Sequence, residues 1–524
     1  MWAATGLLIV GLLAQWSLLF IVRTPAWDAT FYYAYARSLV FDRDLAIGND
    51  LRLSYATTSP DFASNRYDLD LTPTGWVTTP FALGSGLLWL PWLALLRAAA
   101  VPLQAAGRLP AALTGYEPYF VAGVSLLSML LGWLAHWLGY RLAGRTTGRL
   151  SALAATLTVA FATPLLYYQY REPLYSHATS ALTAGLAVAV WWRGHERAPS
   201  PGRALGLGAL IGLAALVRWQ QLVYLALPAA SSLAWWWAQP AGRRGHAGRR
   251  AALALGLTGL AAAVVLLPQL FQWRLVFGRW LTVPQGGVFL DWRAPFLGPV
   301  LFSTYRGLLP WLPVALLAAA GLGWLARSRP RLALPLLLVL ALELYVAAST
   351  RDWFGGGGFG PRRFASELVI LIVGYAAFLD GLSRRLGRWP ALPLGLLLAL
   401  HQWTLLRYGL VERIGGRNLS MFPDYRWQDG PLAYFLAQLA GRAASGLAMP
   451  WDFFVFPSSP LALLSRGQYP AWQAALLIVA AMVVGASWLL ARRLALPGRL
   501  QQPAERPAVG APSAPRPATG ADPG

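Results

Sequence analysis

Apolar runs near the roughly 20 residues that a helix needs to cross a hydrocarbon core recur from one end of the chain to the other. Taking each run as a helix predicts about twelve spans. They fall at 3–22, 118–140, 150–166, 177–192, 204–217, 222–238, 251–273, 307–326, 332–348, 366–383, 389–406 and 471–491. This is the pattern of an all-α polytopic membrane protein.

The gaps between the runs orient it. Loops carrying Arg141/Arg145/Arg149, Arg193/Arg197/Arg203, Arg243/Arg244/Arg249/Arg250, Arg327/Arg329/Arg331 and Arg384/Arg385/Arg388 share one side if the spans alternate, and Arg492/Arg493 join them. The positive-inside rule makes that side cytoplasmic, with both termini there, in a plasma (inner) membrane. Acidic residues lie almost entirely opposite; only Glu196, Asp380, Glu505 and Asp522 fall on the basic side. Polar machinery is therefore expected to face outward.

One segment tests this count. Phe81–Gln104 is apolar enough to span, yet counting it would invert every later helix and put the basic loops outside. Its Trp89, Pro91, Trp92, Arg97 and Pro102 suit a helix lying at the interface, where amphipathic rings and snorkelling arginines are stable. The expected organisation is one transmembrane domain, 1–496, with a large structured first outer loop, 23–117, containing interfacial helices. Later outer segments follow at 274–306, 350–365 and 407–470, and a Pro/Ala/Gly/Arg tail, 497–524, lacks the apolar content for a packed core.

Composition agrees: 57% hydrophobic, 12% charged and a mean hydropathy of +0.48 place the chain in lipid. A net charge of +22 invites a nucleic-acid reading, but the arginines are scattered between apolar runs, so no nucleic-acid partner is expected. Every basic side chain is Arg, which reads as codon bias. With no Cys, disulfides and thiolate metal sites are excluded. Trp2–Val22 is long for a signal-peptide core and lacks a basic start, so it reads as a retained helix.

Candidate chemistry lies in the outward segments. Asp28 opens a helical stretch bearing Tyr32, Tyr33 and Arg37 just after the first span. A partly desolvated carboxylate there can serve as a general base; a helix cap is the plainer reading. Asp42 and Asp44 are rivals for that role. Arg171, Glu172 and His177 share a short loop, in which His177 either binds an anion or caps a helix. Arg218, in Leu216-Val-Arg-Trp-Gln-Gln-Leu222, either lines a cavity or marks an interfacial turn. Arg362 and Arg363 follow a run of glycines that lets backbone approach a ligand closely or acts as a hinge. Asp291, with Gln285 and Trp292, could recognise sugar hydroxyls or simply cap a turn. Glu343 is a carboxylate inside a span. No spacing suggests a dedicated metal site, although paired outer acids could hold a divalent cation.

Taken in order, several segments resemble the GT-C superfamily of membrane glycosyltransferases, which includes protein O-mannosyltransferases and lipid A aminoarabinose transferases. They are the Asp28-x-x-x-Tyr32-Tyr33-x-x-Ala36-Arg37-Ser38-Leu39 run, Asp42-Arg-Asp44-Leu with Asn49-Asp50, Pro73-Thr-Gly75 with Leu88-Trp89, Tyr167-Tyr168 to His177, and Phe359-Gly-Pro361-Arg362-Arg363. Many members have two adjacent acids where Asp28 is followed by Ala29. The resemblance implies transfer of a sugar from a polyprenyl-phosphate donor to a hydroxyl of a lipid-linked glycan, polymer or protein at the outer face. Asp28 would be catalytic, and Tyr32, Tyr33, Asp44, Arg171, Glu172, His177, Arg218, Asp291, Arg362 and Arg363 would bind substrate. Its partners would be membrane lipid, the lipid-linked sugar and the acceptor. Competing readings are a transporter or lipid flippase, whose site would lie near the midplane, and a lipid-linked glycan ligase.

Overall fold

The first predicted run forms helix α1, Trp2–Leu19, and nearly every later run within reach also forms a helix. The structure, a computed structural model, describes residues 2–58, 71–303, 306–387, 390–407 and 459–466. All of these fall in a unit covering Met1–Gln473, and a second unit, Ala474–Gly524, lies outside them. The predicted span 471–491, most of the outer segment 407–470 and the tail 497–524 also lie outside the described residues.

Three helices follow α1 before the main bundle: α2 (Asp28–Arg37, continued by a π turn, Ser38–Asp42), α3 (Gly48–Thr58) and α4 (Gly84–Ala105). The bundle comprises α5 (Pro118–Ala143), α6 (Arg149–Phe161), the short α7 (Leu165–Tyr170), α8 (His177–Trp192), α9 (Pro201–Val217), α10 (Ala226–Trp237) and α11 (Arg244–Phe277). It continues through the short α12 (Leu297–Phe302) and α13 (Leu308–Trp311), then α14 (Pro313–Ala326), α15 (Pro330–Ala348), α16 (Leu368–Leu386), α17 (Ala391–Arg407) and the short α18 (Pro460–Ser465). Among the described residues the only β pairings are the isolated bridges Leu71–Val77 and Leu290–Thr350.

Prolines explain where helices depart from the predicted runs. The run 150–166 stops at Phe161, just before Thr163-Pro164, because a residue preceding proline is driven from the α region. Pro313 splits 307–326 into α13 and α14. The run 222–238 begins as a 3-10 turn, Trp219–Leu225. Arg244, Arg249 and Arg250, expected in a loop, instead form the first turns of α11, whose span grows to 34 residues and ends at Gly278 in the left-handed conformation.

Among the described residues five segments are long and apolar enough to cross a membrane: Gly84–Ala105, Pro118–Ala143, Ala241–Phe277, Pro330–Ala348 and Arg362–Leu386. The first of these is α4, and its contacts show how it lies. Trp92 Nε1 donates to the Gly123 carbonyl at 2.9 Å, and Leu96 packs on the same Gly123. Residues one turn apart on α4 thus meet the second turn of α5. The other end of α4 abuts the end of α9, where Gly84 packs on Leu216 and Val217. Gly86 packs on Tyr32 and Tyr35 of α2, and Arg97 donates to the Val40 carbonyl. With α2 and α3, α4 therefore forms a packed layer against the second turn of α5 and the end of α9. Its core is Phe31, Ala34, Tyr35, Ile47, Leu51, Leu83 and Leu216.

In lipid, apolar surface gives no net drive for helix association, so close backbone approach does the work. Small residues mark these approaches. Gly208 of α9 faces the backbone of Thr258 in α11, and Gly374 of α16 faces that of Ala318 in α14. A Cβ on Gly321 would stand 2.5 Å from the Phe378 amide nitrogen, whereas one on Gly323, two residues on, would meet nothing within 4 Å. Gly321→Ala should therefore lower the melting temperature in detergent by several degrees, an overpacking cost of about 1–3 kcal/mol. Gly323→Ala should leave it unchanged, and a differential scanning fluorimetry comparison of the two checks the packing.

Candidate active site

The chain reaches α2 through a strained residue. Trp27 has φ 58° and ψ −131°, a backbone region costing a non-glycine residue on the order of 1–3 kcal/mol. Asp28 follows as the first residue of α2, and no side chain caps that helix. The carboxylate goes elsewhere: Asp28 Oδ2 accepts a hydrogen bond from Arg362 NH1 at 2.5 Å. Residues 334 positions apart meet there, and their side chains keep only 20% and 14% of their exposure.

Glycines bring Arg362 to that point. Gly355, Gly356 and Gly360 all have positive φ, and a Cβ on Gly358 would lie 2.5 Å from Tyr168 Oη and 2.6 Å from Arg362 Cδ. The loop is fixed at Phe359, whose amide donates to Tyr168 Oη at 2.6 Å, and Arg362 stands over the Tyr175 ring at 5.8 Å. Asp352 closes the loop from its other side, accepting from the Gly356 amide at 2.6 Å, while its backbone carbonyl accepts from Arg363 NH2 at 2.7 Å.

Arg218 leaves α9 in an extended conformation. Its NH1 donates to His177 Nδ1 at 3.2 Å and Ser176 Oγ at 3.4 Å, and its NH2 to Gln220 Oε1 at 3.2 Å. A guanidinium can only donate, so His177 Nδ1 accepts and its proton sits on Nε2. Gln220 in turn donates to Glu343 Oε1 at 2.5 Å and to the Arg363 carbonyl at 3.2 Å. Among the described residues, no hydrogen-bond partner reaches the buried Arg218 Nε, Arg363 Nε and His177 Nε2. Such N–H groups cost free energy when they stay unsatisfied. Tyr32 lies within electrostatic reach of both Arg218 and Asp28; burial pushes its hydroxyl up, against the pull of Arg218.

Arg171 and Glu172 border this cluster. Arg23 NH1 reaches Glu172 Oε1 at 2.8 Å, and Arg171 NH1 donates to the Leu19 carbonyl at 3.3 Å. Burial pushes the Glu172 carboxyl up, with Arg23 and Arg171 opposing. The structure thus brings together Asp28, Tyr32, Arg171, Glu172, His177, Arg218, Arg362 and Arg363.

Three of the sequence candidates lie apart. Tyr33 is one residue, about 100° of helix, from Tyr32, and its hydroxyl donates to the Gly115 carbonyl at 2.5 Å on the other face of α2. Asp44 accepts from Ser38 Oγ at 2.6 Å and the Ala46 amide at 3.0 Å. Asp291 accepts from the Arg293 and Ala294 amides at 3.1 and 3.2 Å, the turn-capping reading. The rival acid Asp42 is held by Arg37 and Asn49.

Sequence reasoning missed Tyr175, Ser176, Asp352 and Glu367 as members of the site. Glu367, fully buried, lies close enough to Glu343 for their charges to interact. The available signal for it was a carboxylate opening an apolar run just after two arginines. Among the described residues no group of three or more His, Cys, Asp or Glu could hold a metal ion.

Fold and site together describe a multi-pass membrane protein with an arginine–carboxylate cluster at one end of its helices. No family model matches the chain, and no curated protein matches it by sequence. Among solved structures it is similar to ArnT from Cupriavidus metallidurans bound to undecaprenyl phosphate, with a TM-score of 0.48 and 16% identity over 88% of this chain and 74% of that one. It is also similar to the Archaeoglobus fulgidus oligosaccharyltransferase in complex with Zn and sulfate, with a TM-score of 0.44 and 15% identity over 81% of this chain and 58% of that one.

A second charged cluster braces the layer. Asp50, fully buried, accepts from Arg37 NH1 at 3.4 Å and Tyr116 Oη at 3.3 Å. Burial raises its carboxyl to about 7, with Arg37 opposing and Asp42 adding to the rise. The folded state therefore keeps a proton that the unfolded chain releases near the ordinary carboxylate value of about 4. Stability falls as pH rises from about 4 through 7, because the unfolded state binds fewer protons in that window. Asp50→Asn, neutral throughout, should melt several degrees above wild type at pH 8, with the gap closing toward pH 4. Parallel melting slopes across this range would show that Asp50 does not carry the titration.

Proposed function

We propose that the protein is a GT-C-type inverting glycosyltransferase, moving a sugar from a polyprenyl-phosphate donor to an acceptor hydroxyl at the outer face of the membrane. The observation that carries this reading is the meeting of Asp28 with Arg362 beside Arg218, whose guanidinium bonds no carboxylate. Departing phosphate needs preorganised cationic donors, and a desolvated site strengthens them. Among the described residues, Arg218, Arg363 and His177 supply buried N–H groups that have no partner.

The acceptor oxygen attacks the anomeric carbon as the bond from that carbon to the phosphate oxygen breaks, and the bonding pair leaves with the phosphate. Asp28 takes the hydroxyl proton. In the resting site Arg362 occupies one Asp28 oxygen. The donor phosphate, competing for Arg362, releases Asp28 for this step. The reaction is thereby tied to donor binding.

An apolar cavity of about 270 Å³, lined by Trp219, Leu222, Leu266, Trp273 and Leu281 among others, adjoins Arg218 through Trp219 and suits the isoprenoid chain. Asp28 and His177 open their helices, Arg218 ends one, and Arg362 precedes another; the broken helices of a transporter share that feature, and counterflow is the measurement that separates the two readings.

In proteoliposomes, undecaprenyl phosphate is the probe for binding and its sugar conjugate for transfer. Asp28→Asn should reduce transfer by about 10²–10⁴-fold while lipid-phosphate binding persists. Arg218→Ala should weaken undecaprenyl-phosphate binding by about 10²-fold, the loss of a charged donor in a desolvated site. Near-normal turnover of Asp28→Asn, or substrate counterflow without a covalent product, would overturn the reading.

A further inference from the structure

Asp44 lies on the wall of a second cavity, of about 320 Å³, that the cluster around Asp28 does not use. That volume is at the lower end of the roughly 300–1,000 Å³ of small-molecule sites. The cavity opens between the loop after α2, the start of α3, the turn at 71–77 and the last turns of α11. Trp76, Asn49, Arg52, Thr79 and Gln272 share the wall with Asp44.

The turn that carries Trp76 is built to stay put. The Thr72 amide donates to the Trp76 carbonyl at 2.8 Å, Gly75 takes the positive φ of 81° that the turn requires, and Thr74 Oγ1 ties the turn to the Val276 carbonyl of α11 at 2.5 Å. The floor is Tyr35, whose hydroxyl is bonded to Thr79 at 2.9 Å and receives Gln272 Nε2 at 3.4 Å. Asp28, Tyr32 and Tyr35 are spaced i, i+4, i+7 and so share one face of α2. The seven-residue rise sets the Tyr35 backbone, on the cavity wall, about 10 Å along α2 from that of Asp28.

We infer that this cavity receives a sugar of a glycan acceptor, one or two rings away from the hydroxyl that reacts at Asp28; the inference rests on the transferase reading above. An aromatic face accepts the C–H side of a pyranose ring, while carboxylate, amide and guanidinium groups around it satisfy the hydroxyls. One arginine and one carboxylate on the same wall do not make an anion site, and a wall that mixes these groups with Leu45, Ile47 and Val77 suits the two-sided surface of a sugar better than an isoprenoid. The donor and acceptor then approach Asp28 from different sides, the donor past Trp219 and the acceptor along α2.

The chain has no cysteine, so Ala46→Cys places a single thiol on the cavity wall. Maleimide labelling of that thiol in the full-length protein is followed with two probes: glycans released by mild acid from host lipid-linked oligosaccharides, and undecaprenyl phosphate. The glycans should slow labelling several-fold and undecaprenyl phosphate should not. Adding Trp76→Ala should abolish the protection and raise the acceptor KM about three- to tenfold without changing donor affinity, and Trp76→Phe should restore both. Protection by undecaprenyl phosphate, no protection by any glycan fraction, or protection unchanged by Trp76→Ala overturns the assignment. Glycan protection in a protein that binds no lipid phosphate would keep the sugar site and sink the transferase reading, so the two failures are read in different arms.

Discussion

Charge brought out of water at the end of an apolar bundle is the constraint around which this protein is arranged. An isolated ion there costs several kcal/mol, which only a well-placed partner offsets. Asp28 and Arg362 provide that partnership across 334 residues of sequence. The strained Trp27, the left-handed glycines at 355, 356 and 360, and the Tyr168 hydroxyl that fixes Phe359 all hold one or other member in place. Arg218 lacks such a partner and leans on neutral groups, His177, Ser176 and Gln220. That asymmetry makes an arriving anion favourable at Arg218 and competitive at Arg362.

The layer formed by α2, α3 and α4 gives the cluster its walls. It is tied to the bundle at backbone level, by Gly84 on the end of α9 and by Trp92 on Gly123. A buried network of Arg37, Asp50 and Tyr116 holds it to the start of α5. Two cavities lie beside it, a largely apolar one lined by Trp219 and a mixed one lined by Trp76; on the proposed reading the first takes the lipid-borne substrate and the second the hydroxyl-rich one.

The positions of the helices were legible because a hydrocarbon solvent leaves few options: an apolar run of sufficient length must satisfy its own backbone. Ends were less legible. Phe161, Pro313 and the 3-10 turn at Trp219–Leu225 depart from the run boundaries because proline and tertiary packing set them, not hydropathy. Phe81–Gln104 read as interfacial from its tryptophans, prolines and Arg97; Gly84–Ala105 forms one helix, α4, that is also long and apolar enough to cross a membrane.

For the site, the sequence could nominate but not pair. Asp28, Arg218, Arg362 and His177 stood out as polar groups beside apolar runs, where charge is costly and so seldom idle. Nothing in their spacing said that Asp28 would face Arg362, that Tyr32 and Tyr33 would part to opposite sides of α2, or that Asp291 would be spent on a turn. What the sequence determined was therefore the solvent and the approximate positions of the helices, since these follow from transfer free energies that sum along the chain. Only the tertiary structure decided which charges meet, because that depends on helix crossings and glycine-permitted loops that no local pattern records.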